Sequence, residues 1–139
     1  MIVFSSLNLV IFILISLLHI YWALGGSWGL EGVVPQLKNG TTVFEPPLIA
    51  TIIVAGGLFG FALIHAGALG MVSFISTYYL LIALVIIATI FALRAIGDFK
   101  YVGLFKKQRV GAFAQNDTRY YIPLCLFISF NAWMTYYLL

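Results

Sequence analysis

The sequence predicts an all-α fold, a polytopic membrane four-helix bundle, and three observations carry that expectation. The 139 residues are 63% hydrophobic and only 8% charged, with a mean hydropathy of +1.11, whereas a soluble domain carries about 25% charged residues. Four apolar segments, 3–24, 48–66, 74–97 and 120–138, each approach the ~20 residues an α-helix needs to cross the hydrocarbon of a bilayer. The charges are confined to two connections: Glu31, Lys38 and Glu45 lie in the first, and the other eight lie between Arg94 and Arg119. In a four-span chain those connections share a side, so the positive-inside bias puts both in the cytoplasm and both termini outside. The polar connections are too short for a separate soluble unit, so residues 1–139 read as one domain, and the single cysteine, Cys125, excludes an internal disulfide.

The first segment is apolar all round except for Ser5, Asn8, Ser16 and His19, which fall within about 80° of one another on a helical wheel. Lipid offers these groups no partner, so the stripe is expected to face the other helices. Trp22 stands where interfacial indoles collect. The glycine-rich LGGSWGLEG that follows ends the helix. Asn39-Gly40, between Val33, Val34 and Leu37 on one side and Thr41, Thr42 and Val43 on the other, signals a type I′ hairpin across the cytoplasmic mouth, although Pro35 weakens its first strand.

Pro46 and Pro47 precede the second helix, in which Gly56 and Gly60 have the four-residue spacing that lets helix backbones approach closely. His65, near its outer end, reads as a hydrogen-bonded surface group. A metal site shared with His19 is excluded, because the two helices run in opposite directions and place the histidines at different depths. The third helix is aliphatic until Arg94, four residues before Asp98. Two readings of that pair stand: an ion pair that ends the span, or a carboxylate that holds the guanidinium while donors stay free for an anionic or carbonyl oxygen.

The connection before the last helix carries Lys106, Lys107 and Arg109 and then Asp117. Asn116, Asp117 or Thr118 is expected as the N-cap, with Pro123 in the first turn. Tyr120, Leu124, Phe127, Asn131 and Thr135 share a face, which turns the Tyr120 hydroxyl and the Asn131 amide inward. Cys125 lies off that face and reads as a small packing residue. Asn8 and Asn131 differ in depth by only ~3 Å at 1.5 Å per residue, so their amides are expected to bond.

Three blocks, His19-Ile-Tyr-Trp22-Ala-Leu-Gly25-Gly26-Ser-Trp28-Gly29, Arg94-Ala-Ile-Gly97-Asp98 and Phe113-Ala-Gln-Asn-Asp117-Thr-Arg-Tyr-Tyr121-Ile-Pro123-Leu124-Cys125, give the chain a resemblance to a known family. It resembles the small bacterial membrane proteins catalogued as domain of unknown function 3995, over nearly its whole length. The resemblance implies a four-span fold in a bacterial cytoplasmic membrane and carries no activity.

Two functions of different kinds fit the residues. In the first, Arg94 with Lys106 or Lys107 holds an anionic or lipid-like amphiphile at the cytoplasmic end, beside Asp98, Trp22 and Tyr120, and His19 or Asp117 moves a proton. In the second, the basic face of a non-catalytic membrane subunit docks a protein partner or a second copy of the chain. A transporter is less well supported, since no acidic residue lies at mid-span. No metal cluster, phosphate loop or nucleophile motif is present in the sequence, so no cofactor is expected. Membrane lipids are the expected partners, and nucleic acid is not.

Overall fold

The computed structural model describes residues 1–37 and 39–139; Lys38, one of the first-loop charges, lies outside the described residues. The chain is helical: α1 (Ile2–Ala23), α2 (Leu48–Ala68), α3 (Thr77–Ile96), the short α4 (Ala112–Asn116) and α5 (Ile122–Leu138). Helices α1, α2 and α3 are long and apolar enough to cross a membrane. Among the described residues there is no β-strand. The first loop contains a 3-10 turn, Leu30–Gly32, and one isolated antiparallel bridge, Gln36 to Thr42. Asn39 accepts from the Thr41 N–H and hydroxyl, and Gly40 takes a left-handed φ of 84°.

Helix ends follow local chemistry. After α1, Gly25 adopts φ 94° while the Gly26 N–H reaches back to Tyr21 O at 2.9 Å, the closure that satisfies the last carbonyls of a helix. Helix α3 starts three residues later than its apolar run suggests, because Ser76 is extended, with φ −68° and ψ 151°. The N-cap expected just before α5 does not exist. Asp117–Tyr121 forms a π turn that joins α4 to α5 without a break. Pro123 explains it: the ring has no N–H to give and collides with the carbonyl four residues back, and a widened turn relieves both.

Helix α1 packs mainly on α2, and α3 mainly on α5. The core runs through Phe12, Leu58, Ile87, Ala88, Ile128 and Ala132. Of the predicted inward stripe on α1, Ser5, Asn8 and Ser16 are buried, and Ser16 bonds Ala55 O at 2.8 Å. The close-packing role expected for Gly56 and Gly60 is corrected. A Cβ added at either would meet nothing within 4 Å, and α2 packs instead through Ala55, Leu58 and Ala62. The face expected on α5 holds in its second half, where Asn131 and Thr135 are buried, and is corrected in its first half: burial there runs through Ile122, Cys125 and Ile128, so Phe127 and Tyr120 are exposed.

Candidate functional site

Polar side chains gather in three places, and the sequence foresaw part of each. At the end carrying the charged loops, Asp117 is fully buried and Lys106 nearly so, at 4% exposure. Arg94 Nη2 donates to Asp117 Oδ1 at 2.9 Å, and Lys106 Nζ and the Gly103 N–H donate to Oδ2, both at 2.9 Å. Lys106 also reaches the Thr118 hydroxyl at 2.7 Å. Burial alone would raise the Asp117 pKa. Lys106, the Gly103 amide and Arg94 outweigh it and hold the carboxyl below the usual carboxylate range.

The pairing of Arg94 with Asp98 is therefore corrected. Helix α3 stops at Ile96, and Gly97 turns the chain with φ 89°, so Asp98 leaves the helical face that would have put it one turn below Arg94. Its Oδ1 instead accepts the N–H groups of Lys100, Tyr101 and Val102 at 2.7–2.9 Å. Against its slight desolvation, those three amides lower the Asp98 pKa. The loop doubles back so tightly that Gly97 and Gly103 touch. A Cβ on either would run into the backbone of the other arm, and this contact delivers the Gly103 amide to Asp117. Among the described residues, Arg94 Nη1 is buried without a partner.

The second place is a groove of about 620 Å³ between α1, the first loop and the start of α2. His19 and Trp22 line it, with Glu31, Gln36, Phe44 and Glu45. His19 Nδ1 lies 2.8 Å from Ile15 O; a carbonyl only accepts, so Nδ1 carries the proton and a neutral ring keeps the Nε2 lone pair. The imidazole packs edge-on to Trp22 at 5.0 Å, and the indole N–H is held by Trp28 O at 2.8 Å. Tyr121 ties the groove to the charged cluster through its hydroxyl, which donates to Gly32 O at 2.8 Å.

Of the expected site residues, His19 and Trp22 meet in this groove, while Arg94, Lys106 and Asp117 meet outside it. Asp98 caps its own loop. Lys107 is exposed, as is Tyr120, whose ring lies 5.3 Å from the Arg119 guanidinium. The sequence reading passed over Glu31 and Glu45, two of the four acids in the chain, and chose Tyr120 where Tyr121 does the bonding.

The third place is at the opposite end. Ser5, Asn8 and His65 are fully buried and Asn131 is 1% exposed, so the surface role expected for His65 is corrected. The Ser5 hydroxyl donates to His65 O at 3.0 Å, which leaves Ser5 Oγ to accept from His65 Nδ1 at 2.9 Å. His65 Nε2 then accepts from Asn8 Nδ2 at 3.3 Å, whose other proton goes to Ile128 O at 3.0 Å. Asn131 Nδ2 donates to Asn8 Oδ1 at 3.1 Å, the amide pair that helix depth predicted. Asn131 Oδ1 closes the chain without a partner.

No curated protein and no solved structure matches this chain. A family model described as protein of unknown function (DUF3995) matches residues 12–132, which takes in most of each quoted block and all four long helices at least in part. The chain belongs to that family.

Proposed function

We propose that this protein is a bacterial cytoplasmic-membrane protein that binds a lipid-like amphiphile, with its charged loops in the cytoplasm and the groove at that end as the headgroup site. The observation that carries the reading is the groove itself: about 620 Å³, within the range of small-molecule sites, and lined by two residues expected to touch a ligand, His19 and Trp22. Ala50 and Val54 of α2 give it an apolar wall, along which an acyl chain would run. Arg94 and Lys106 do not serve as headgroup clamps in this reading, because both are engaged by Asp117 and neither lines the groove. No reaction is proposed. Both Asp117 oxygens are already taken by Arg94, Lys106 and the Gly103 amide.

The test is native mass spectrometry of the protein released from membranes. An amphiphile adduct is expected on the parent and not on Ala50→Phe, whose ring would fill the groove. An adduct retained in the variant moves the site elsewhere. A protein free of adducts in both removes the reading. The second reading, docking of an acidic protein partner, is favoured by Lys107 and Arg109, which are exposed and outside both ion pairs among the described residues. Loss of a larger complex on native gels in Lys107→Glu/Arg109→Glu, with the adduct unchanged, would establish it.

A further inference from the structure

The groove also indicates which headgroup it takes, an inference that rests on the amphiphile reading above. Its polar lining is one-sided. Glu31 and Glu45 are its two acidic residues, and the His19 ring has Nδ1 committed to Ile15 O. No Lys or Arg is among the described lining residues, and neither carboxylate is in an ion pair among the described residues. Two aromatic rings complete the wall. Trp22, its N–H engaged by Trp28 O, and Phe44 of the first loop both line the groove. Carboxylates and aromatic faces together are the surroundings that attract an ammonium group, and they repel a phosphate or sulfate that brings no cation of its own.

We propose that the groove binds amphiphiles through a cationic nitrogen headgroup, a primary or quaternary ammonium, and not through an anionic one. The charge of the described lining therefore runs opposite to the basic balance of the sequence; Arg94 and Lys106 are engaged by Asp117 instead. Glu31 and Glu45 are exposed residues of the first loop, at the end where the amphiphile reading puts the headgroup layer, in which an alkylammonium places its charge while its chain stays in hydrocarbon.

The experiment uses the full chain in nanodiscs of zwitterionic lipid, with Trp28→Phe and Trp133→Phe so that Trp22 is the remaining indole. Three probes share one brominated twelve-carbon chain and differ in headgroup: trimethylammonium, sulfate and maltoside. Quenching of Trp22 is expected to saturate at about tenfold lower concentration for the ammonium probe than for the maltoside. Glu31→Gln/Glu45→Gln, both at exposed positions that leave the fold alone, should erase that preference and retain the maltoside response. Equal saturation by all three probes, or tighter saturation by the sulfate, overturns the headgroup assignment and leaves the amphiphile site standing. A preference for ammonium that survives the double variant also overturns it, since the attraction then comes from the bilayer surface. Quenching that never saturates for any probe overturns the amphiphile reading itself.

Discussion

The two buried polar clusters, one at each end of the helices, are built from opposite chemistry. At the loop end one carboxylate meets two cations and a backbone amide, all drawn from α3, the loop after it and the π turn. At the other end no formal charge is used: a serine, a histidine and two asparagines from α1, α2 and α5 pass hydrogen bonds along a line. The difference follows from what surrounds each. The loop end has backbone N–H groups nearby to help hold a charge, whereas the other cluster lies among apolar helices, of which α1 and α2 are long and apolar enough to cross a membrane; in such surroundings a charge costs several kcal/mol and neutral bonds between helices cost little. The comparison teaches that polarity here is graded by position. Charges lock the loops, and neutral groups align the helices.

The largest effect should come from breaking the charged cluster on its acidic side. Asp117→Asn leaves Lys106 buried, and Arg94 half-buried, without a counter-charge, and removing one partner of a buried pair typically costs about 3–5 kcal/mol. Unfolding of purified protein in denaturant reads it directly. Lys107→Ala, at an exposed position in the same loop, should stay within about 0.5 kcal/mol. A small loss in Asp117→Asn would mean that the cations escape to solvent and that the cluster is no lock.

Acid separates the two ends without mutation. The Asp117 and Asp98 carboxyls are held below their usual range, so their contribution is complete above the unfolded carboxylate pKa of about 3.9 and is lost as pH falls through the lower folded values. Hydrogen exchange of the amides of residues 97–106 should therefore rise below about pH 4. The other end has no carboxylate, but its His65 must keep Nε2 unprotonated to accept from Asn8, so loosening near Asn8 and Asn131 should begin below the unfolded imidazole pKa of about 6.5, before residues 97–106 loosen. Loosening of both ends with a single midpoint would make them one cooperative unit.

The smallest effect is expected from the neutral cluster. Asn8→Leu removes a donor to His65 Nε2 and to Ile128 O and the acceptor of Asn131, yet membrane hydrogen bonds average only ~0.6 kcal/mol each. A loss of about 1–2 kcal/mol is expected in the same unfolding assay. Asp117→Asn must exceed it for the contrast between the ends to hold.

Much of the architecture was legible from residues close together in the chain. Whether a run crosses a bilayer is a sum over ~20 neighbouring side chains, so the segments beginning near residues 2 and 48 were placed to within about two residues of the observed helices. The polar stripe of α1 and the depth match between Asn8 and Asn131 followed from helix geometry alone. The first errors arose where a local rule met a backbone irregularity. Arg94 and Asp98 are four apart, but Gly97 ends the helix between them, and the π turn next to Pro123 removed the expected N-cap.

What only the tertiary structure decided was which polar groups meet. Arg94 finds its carboxylate 23 residues away, His65 its serine 60 residues away, and Asn131 its amide 123 residues away. A cation's partner sets whether it is spent or available, and that choice turned a basic sequence into a protein whose groove is lined by carboxylates. The segments could be read one at a time, because transfer into hydrocarbon is additive along a helix. The pairings could not, because a buried charge or amide takes its partner from whichever helix packing brings within about 3 Å.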